Sequence, residues 1–294
     1  MAKDLIIGAF SNYSDFNVVK PWIHSIKETG FDGDIVLIAI DAPKSIVLEI
    51  EDAGVTVVEH PKQGNMMIHM MRFLYIYDFL KKYHNKYRYV ITTDVRDVIF
   101  QSNPSLYLHN LYGSYKGIIA QSEAIQIQNE RWNRENIIKN FGQYFYEDIK
   151  EHEVFNVGIL AGTTEYIKDL CFALFQMSSN RPDWVADQAA YNMLLSFKPW
   201  NEVATCLPLM DGWALNAHVT NKPDQMDEFG PYLLENRPYM EDGVVKNADG
   251  EPFVIVHQYD RVPEWTKYFY DKYDVKITTE TETGSSPKYF TITT

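Results

Sequence analysis

Four short apolar runs punctuate the first third of the chain: LIIGAF (Leu5 to Phe10), DIVLIAID (Asp34 to Asp41), VTVVEH (Val55 to His60) and YRYVITTD (Tyr87 to Asp94). Between them, NVVKPWIHSIKET (17–29), residues 43–53 and MMIHMMRFLYIYDFLKK (66–82) carry apolar residues at helical spacing, and Gly54 is placed to end the second of these helices. The order is β-α-β-α-β-α-β. Near-continuous apolar strands that alternate with helices predict an α/β fold: a mostly parallel central sheet with helices on both faces. Ligands of such sheets collect outside the carboxyl ends of the strands. Chemistry is therefore expected at Gly8 to Ser11, after the first run, and at Asp94 to Asp97, after the fourth.

The later half is less regular. Residues 130–150, 164–178 and 183–196 read as helices, VFNVGILAG (Val154 to Gly162) as a strand interrupted by glycines, and PFVIVHQYD (Pro252 to Asp260) as a late strand. From about 199 to 250, frequent Pro, Asn, Asp and Gly predict long loops. A single domain over 1–275 is expected, with 276–294 as a Thr-rich polar tail or an edge strand.

Composition narrows the partners. Net charge is -13, with no basic run, which argues against nucleic acid and anionic membrane surfaces. An acidic chain that binds a diphosphate needs local compensation from a cation, an arginine or a helix N-terminus. The two cysteines form no framework: Cys171 sits in the apolar helical stretch DLCFALF, and Cys206 stands apart. A reducing, cytoplasmic setting is expected, since MAKDLIIGAF has too short an apolar run for a secretory leader. No apolar run reaches the roughly 18 residues of a membrane span.

The strongest local signal is ITTDVRDVIFQ, Ile91 to Gln101. A buried strand delivers Asp94 and Asp97, two carboxylates three residues apart that can converge across a turn. Oxygen ligands of this kind suit Mg2+ or Mn2+ that keep contacts to substrate phosphates. The plainer alternative is a pair of surface acids, one of them paired with Arg96.

An apolar strand that ends in this acidic motif resembles the Asp-x-Asp motif of the GT-A glycosyltransferases. The form Asp-x-Arg-Asp followed by Val-x-Phe-Gln is similar to a subset found in bacteria and large algal viruses. Val154 to Gly162 resembles the Asn-x-Gly segment beside the donor sugar, with Asn156 and Gly158. Asp187 and Gln188 in ADQAAYN resemble the Asp-Gln near the acceptor. His257 in IVHQYDR resembles a late His that supplies a further metal ligand, and Gly8 to Ser11, with Ala9, Phe10 and Ser11, the first-strand loop that meets the nucleobase.

The resemblance spans roughly residues 5 to 265. It implies a nucleotide-binding half over about 1–115 and a donor and acceptor half over about 116–275. It also implies transfer of a sugar from a nucleotide donor, UDP being the commonest, to a glycan hydroxyl, with the acceptor on a glycoprotein if the viral likeness holds. Metal ligands would be Asp94, Asp97 and His257. The extra residue between the two aspartates leaves open which one binds metal and which the ribose; Asp97 is favoured for the metal. A His ligand predicts a preference for Mn2+ over Mg2+. An inverting outcome is the expectation, with galactose, glucose and xylose all open as the sugar.

Each residue has a plainer alternative. Arg72, inside an apolar helix, needs a partner: either Asp94 or a phosphate, unless its stem packs and its head reaches solvent. His257 can be a hydrogen-bonded strand-end residue. Asp187 is a proton acceptor, or a first-turn acid favoured by the helix dipole. Asp211 in LMDGWALN is a rival base, or one half of an ordinary Asp-Gly turn; Trp213 beside it stacks on a sugar or belongs to the core. Gln121 to Glu123 follows GIIA and borders the donor pocket, while Met66, Met67, Met70 and Met71 read as core packing. Two other functions compete. A nucleotidyltransferase that makes nucleotide sugars would show a Gly-rich basic loop after the first strand, whereas GAFSNYSDF has one glycine and no base. A non-catalytic carbohydrate-binding module would need neither metal nor nucleotide.

Overall fold

Alternate residues of the first strand feed two different cores. Leu5 and Ile7 pack on one side of the sheet with Val36, Ile38 and Val90, while Ile6 and Phe10 pack on the other with Leu37, Ala39 and Ile91. Both faces are apolar because both are covered, as a parallel sheet requires. The computed structural model describes residues 2–13, 15–64, 67–111, 117–183 and 185–276. Met66, Trp184 and the tail beyond 276 lie outside them.

The strands are β1 (Lys3–Ser11), β2 (Asp34–Ile40), β3 (Thr56–His60), β4 (Tyr87–Thr93), β5 (Val98–Phe100), β6 (Ile118–Gln126), β7 (Glu153–Phe155), β8 (Ile159–Thr163), β9 (Ala204–Leu207), β10 (Ala214–Asn216), β11 (Tyr239–Glu241), β12 (Val244–Lys246) and β13 (Ile255–His257). The main sheet runs β3-β2-β1-β4-β8-β6-β7, with β9 beside β6. The four strands read from the sequence pair in parallel; β8 then joins β4 antiparallel, which makes the sheet mixed. A second sheet, β10-β13-β5, flanks the carboxyl end of β4, and β11 and β12 form a hairpin.

Helices α1 (Lys20–Glu28) and α2 (Lys44–Asp52) cover one face, through Trp22, Ile23, Ile26, Ile46, Val47 and Ile50. Helix α3 (Ile68–Tyr83) covers the other. A short helix α4 (Pro104–Asn110) follows β5; α5 (Arg131–Phe141) and α6 (Gln143–Ile149) precede β7; α7 (Thr164–Ser178) and α8 (Asp187–Ser196) pack with α3. Tyr77 of α3 stacks on Phe172 of α7 at 4.7 Å between ring centres. This second contact explains why α3 is apolar around much of its circumference. Its buried Met71, Phe73, Ile76 and Leu80 each contribute about 1.5–3 kcal/mol, enough to carry a charged Arg72 in their midst. Met70 and Met71 are core, as their spacing predicts.

The segment expected to be long loops instead holds short elements: β9 to β12 and the helices α9 (Trp200–Val203), α10 (Ala217–Asn221) and α11 (Met226–Phe229), before α12 (Pro263–Lys272) closes the described chain. Elements this short have no periodicity to read, and distant partners hold them in place. Among the described residues no helix is long and apolar enough to cross a membrane.

A candidate metal centre at the carboxyl end of the sheet

Strand β4 stops at Thr93, whose hydroxyl accepts a hydrogen bond from the buried Trp22 indole at 2.8 Å. The Asp94 N–H then donates to the Gly158 carbonyl at 2.8 Å. The chain turns over Val95 and Arg96 into space that Gly8 leaves open: a methyl group on Gly8 would collide with Val95 and crowd the Thr93 carbonyl at 3.2 Å. Strand β5 pairs antiparallel with β13, which sets His257 opposite Val98, and the Gln258 N–H donates to the Asp97 carbonyl at 2.7 Å. On its other side β13 pairs with β10, which sets Asn216 opposite His257.

These pairings bring Asp94, Asp97 and His257 together, with one ligand atom from each within 4.8 Å of the others. His257 Nε2 lies 3.3 Å from an Asp94 oxygen and 3.7 Å from an Asp97 oxygen. Its Nδ1 lies 2.8 Å from the Asn216 side-chain amide, a hydrogen bond that orients the ring, and Nε2 faces the two carboxylates. Burial lowers the His257 pKa against the opposing charge of Asp97, and nearby Arg261 adds to the lowering. For Asp97, burial pushes upward, but His257, Arg96 and Arg261 outweigh it and hold the carboxyl below its ordinary value. Two carboxylate oxygens and an imidazole whose far nitrogen is oriented by Asn216 form a donor set able to hold a divalent cation.

Guanidinium groups surround the cluster. Arg72 donates through Nη1 to Asp94 and through Nη2 to Asp187 at 3.1 Å. Arg96 lies 3.6 Å from both Asp97 and Asp260. Arg261 lies 3.7 Å from Asp97 and 2.7 Å from Asp260. The Asp260 carboxyl is raised by burial and by the charge of Asp97. Asn216, Asp260 and Arg261 escape a sequence reading, because nothing in their spacing links them to Asp97. Half-buried Tyr13 feels the same charges; burial raises its phenol.

The other candidates divide. Asp187, 3% exposed, opens α8 and reaches the cluster through Arg72. Asn156 and Gly158 form the turn between β7 and β8: the Asn156 amide donates to Glu123 at 2.6 Å and accepts from the Gly158 N–H at 2.7 Å. Each end of that amide thus makes one hydrogen bond within the protein. The Gln188 amide likewise donates to Asn133 at 3.0 Å. Gly158 is glycine because a methyl group there would meet the His257 ring.

One expectation needs correction, and for Asp211 the turn alternative describes the local backbone. Ala9, Phe10 and Ser11 do not form a loop, because the parallel pairing continues to Ser11 opposite Ile40 and the chain leaves the strand only at Asn12, with φ of 58°. Phe10 is buried and stacks on Tyr13 at 5.7 Å. Asp211 lies exposed in the turn that Gly212 closes at φ of 71°, where its carbonyl accepts from the Tyr107 hydroxyl at 3.0 Å. Trp213 is core, packed on Tyr107 at 5.0 Å. Gln101 is structural, since its amide holds Val245 and Phe253 of the neighbouring hairpin region.

Glu123 on β6 is 3% exposed, and burial pushes its carboxyl from 4.5 up to about 7, with the Glu130 charge adding to the rise. Between those two values the folded chain binds more protons than the unfolded one. Stability therefore falls as pH rises through that window, by about 3 kcal/mol in all. Glu123→Gln removes the titration. In urea melts with chelator, it should come close to the wild type near about pH 5 and exceed it by about 2 kcal/mol near about pH 8. An equal difference at both would mean that Glu123 titrates normally.

No model of a known protein family and no curated protein matches the chain.

Proposed function

We propose that this protein is a GT-A-type glycosyltransferase that moves a sugar from a nucleoside-diphosphate donor, UDP being the first to test, to a glycan hydroxyl. The observation that carries this reading is the charge pattern at the carboxyl end of β4. Asp94, Asp97, Asp187 and Asp260 face Arg72, Arg96 and Arg261, one negative charge in excess. A divalent cation on Asp94, Asp97 and His257 would reverse the sign and make the site attractive to a polyanion.

When bound, the cation supplies Lewis-acid stabilisation of the charge that builds on the departing diphosphate. The chain's own residues do the rest. His257, oriented by Asn216, turns Nε2 toward the site. Arg96, partly exposed, stands at its rim to meet phosphate oxygens. Asp187 is the carboxylate offered to the acceptor's hydroxyl proton, and one guanidinium ties it to Asp94. Asp187→Asn is therefore expected to lower turnover about 10²-fold or more and to spare UDP binding. Loss of UDP affinity instead would assign Asp187 to the nucleotide site.

Titration calorimetry of UDP, GDP and free sugars, each with and without Mn2+, tests the reading. Metal-dependent binding of one nucleoside diphosphate supports it and fixes the base. Glycan binding without any nucleotide binding overturns it in favour of a carbohydrate-binding module.

A further inference from the structure

Strand β6 carries a buried acid that the proposed chemistry does not use. Glu123 makes no ion pair among the described residues; its carboxyl receives the Asn156 amide at 2.6 Å and lies against Gln188. A carboxyl buried without a cation is costly. The backbone around it is tightly specified: Ala124, the next residue, is held in the left-handed region at φ of 55°, with its N–H on Ser122 Oγ at 2.8 Å and its carbonyl on the Leu234 N–H at 2.8 Å. Strain of this kind persists only where the surroundings over-determine it.

The Asn156 amide donates from one end to Glu123 and accepts at the other from the Gly158 N–H, so it cannot rotate or flip without losing both bonds. Gly158 in turn touches two of the three cluster residues. Its carbonyl receives the Asp94 N–H at 2.8 Å, and its Cα lies so close to the His257 ring that an added methyl would stand 2.9 Å from Nδ1. Displacing the turn therefore moves the Asp94 backbone and the plane of the imidazole together.

We infer that Glu123 is a positioning residue for the Asp94, Asp97 and His257 centre, acting through Asn156 and the turn at Gly158. This rests on the reading of that centre as a divalent-cation site. Glu123 is not a ligand: its role is to accept the one hydrogen bond that locks Asn156. An amide oxygen in its place serves the same purpose, whereas a methyl group leaves the Asn156 donor buried and unmatched.

The test is calorimetric titration of the full chain with Mn2+ alone, for the wild type, Glu123→Ala and Glu123→Gln. Outer residues that orient metal ligands typically control affinity by about 10- to 100-fold. Glu123→Ala should raise the Mn2+ Kd by that factor, and Glu123→Gln should restore most of it. In chelator, the Gly158 and Asp94 amide resonances should move in the Ala variant and stay near their wild-type positions in the Gln variant. If Glu123→Ala fails to fold, Asn156→Ala reaches the same turn from the other side and should show the same loss. Wild-type Mn2+ affinity in Glu123→Ala, or in Asn156→Ala where that replaces it, overturns this inference alone. Absence of Mn2+ binding by the wild-type chain overturns the cation-site reading and this inference with it.

Discussion

Asp97→Ala is expected to abolish metal-dependent nucleotide binding while leaving the chain folded. Asp97 is 5% exposed and, among the described residues, supplies one of the two carboxylates of the cluster. Loss of a direct ligand should exceed the roughly 10- to 100-fold effect of an outer residue, so the Mn2+ affinity should fall by more than about 100-fold. The contacts that place the segment belong to the backbone: the Asp97 carbonyl still accepts from Gln258, and β5 still pairs with β13. Arg96 and Arg261 keep Asp260 as a partner. Calorimetry with Mn2+, then UDP, beside a circular-dichroism melt checks both halves. Wild-type-like binding would remove Asp97 from the site.

Arg72→Met should cost about 3 kcal/mol of stability, because it strands two carboxylates at once. The Arg72 side chain is 11% exposed and Asp187's 4%, so water compensates little, whereas Asp94 at 31% is partly rescued by solvent. The apolar stem is replaced by methionine, which keeps the packing of α3 and isolates the loss of charge. Asp187→Asn should be less harmful in the Arg72→Met background than in the wild type, since it then removes an unpaired charge instead of breaking a pair. Denaturant melts of the two single variants and the double variant measure that coupling. A loss below about 1 kcal/mol, with no coupling, would rank Arg72 with ordinary surface ion pairs.

The local pattern made much of this legible. Four apolar runs and three helical repeats appear where β1 to β4 and α1 to α3 lie, because period and apolarity report how many faces of an element are covered. Strand order along the chain also placed Asp94 and Asp97 at a carboxyl end. Where the reading slipped, at Ser11, the strand outlasted its apolar run, since backbone pairing to Ile40 does not need an apolar side chain.

What the chain could not disclose locally is who meets whom. β5, β10 and β13 are three residues each, too short for any period, yet their pairing sets His257 beside Asp97 and Asn216 behind His257. The same holds for Asn156, whose amide reads as a sugar ligand in the sequence and in the structure is engaged by Glu123 and Gly158. Residue type and spacing, on their own, determined the α/β alternation, the covered faces of the sheet and the acids at its edge. The tertiary structure alone decided which guanidiniums, amides and imidazole surround those acids, because hydrogen bonds and ion pairs depend on distances between segments far apart in the chain, and no local periodicity encodes them.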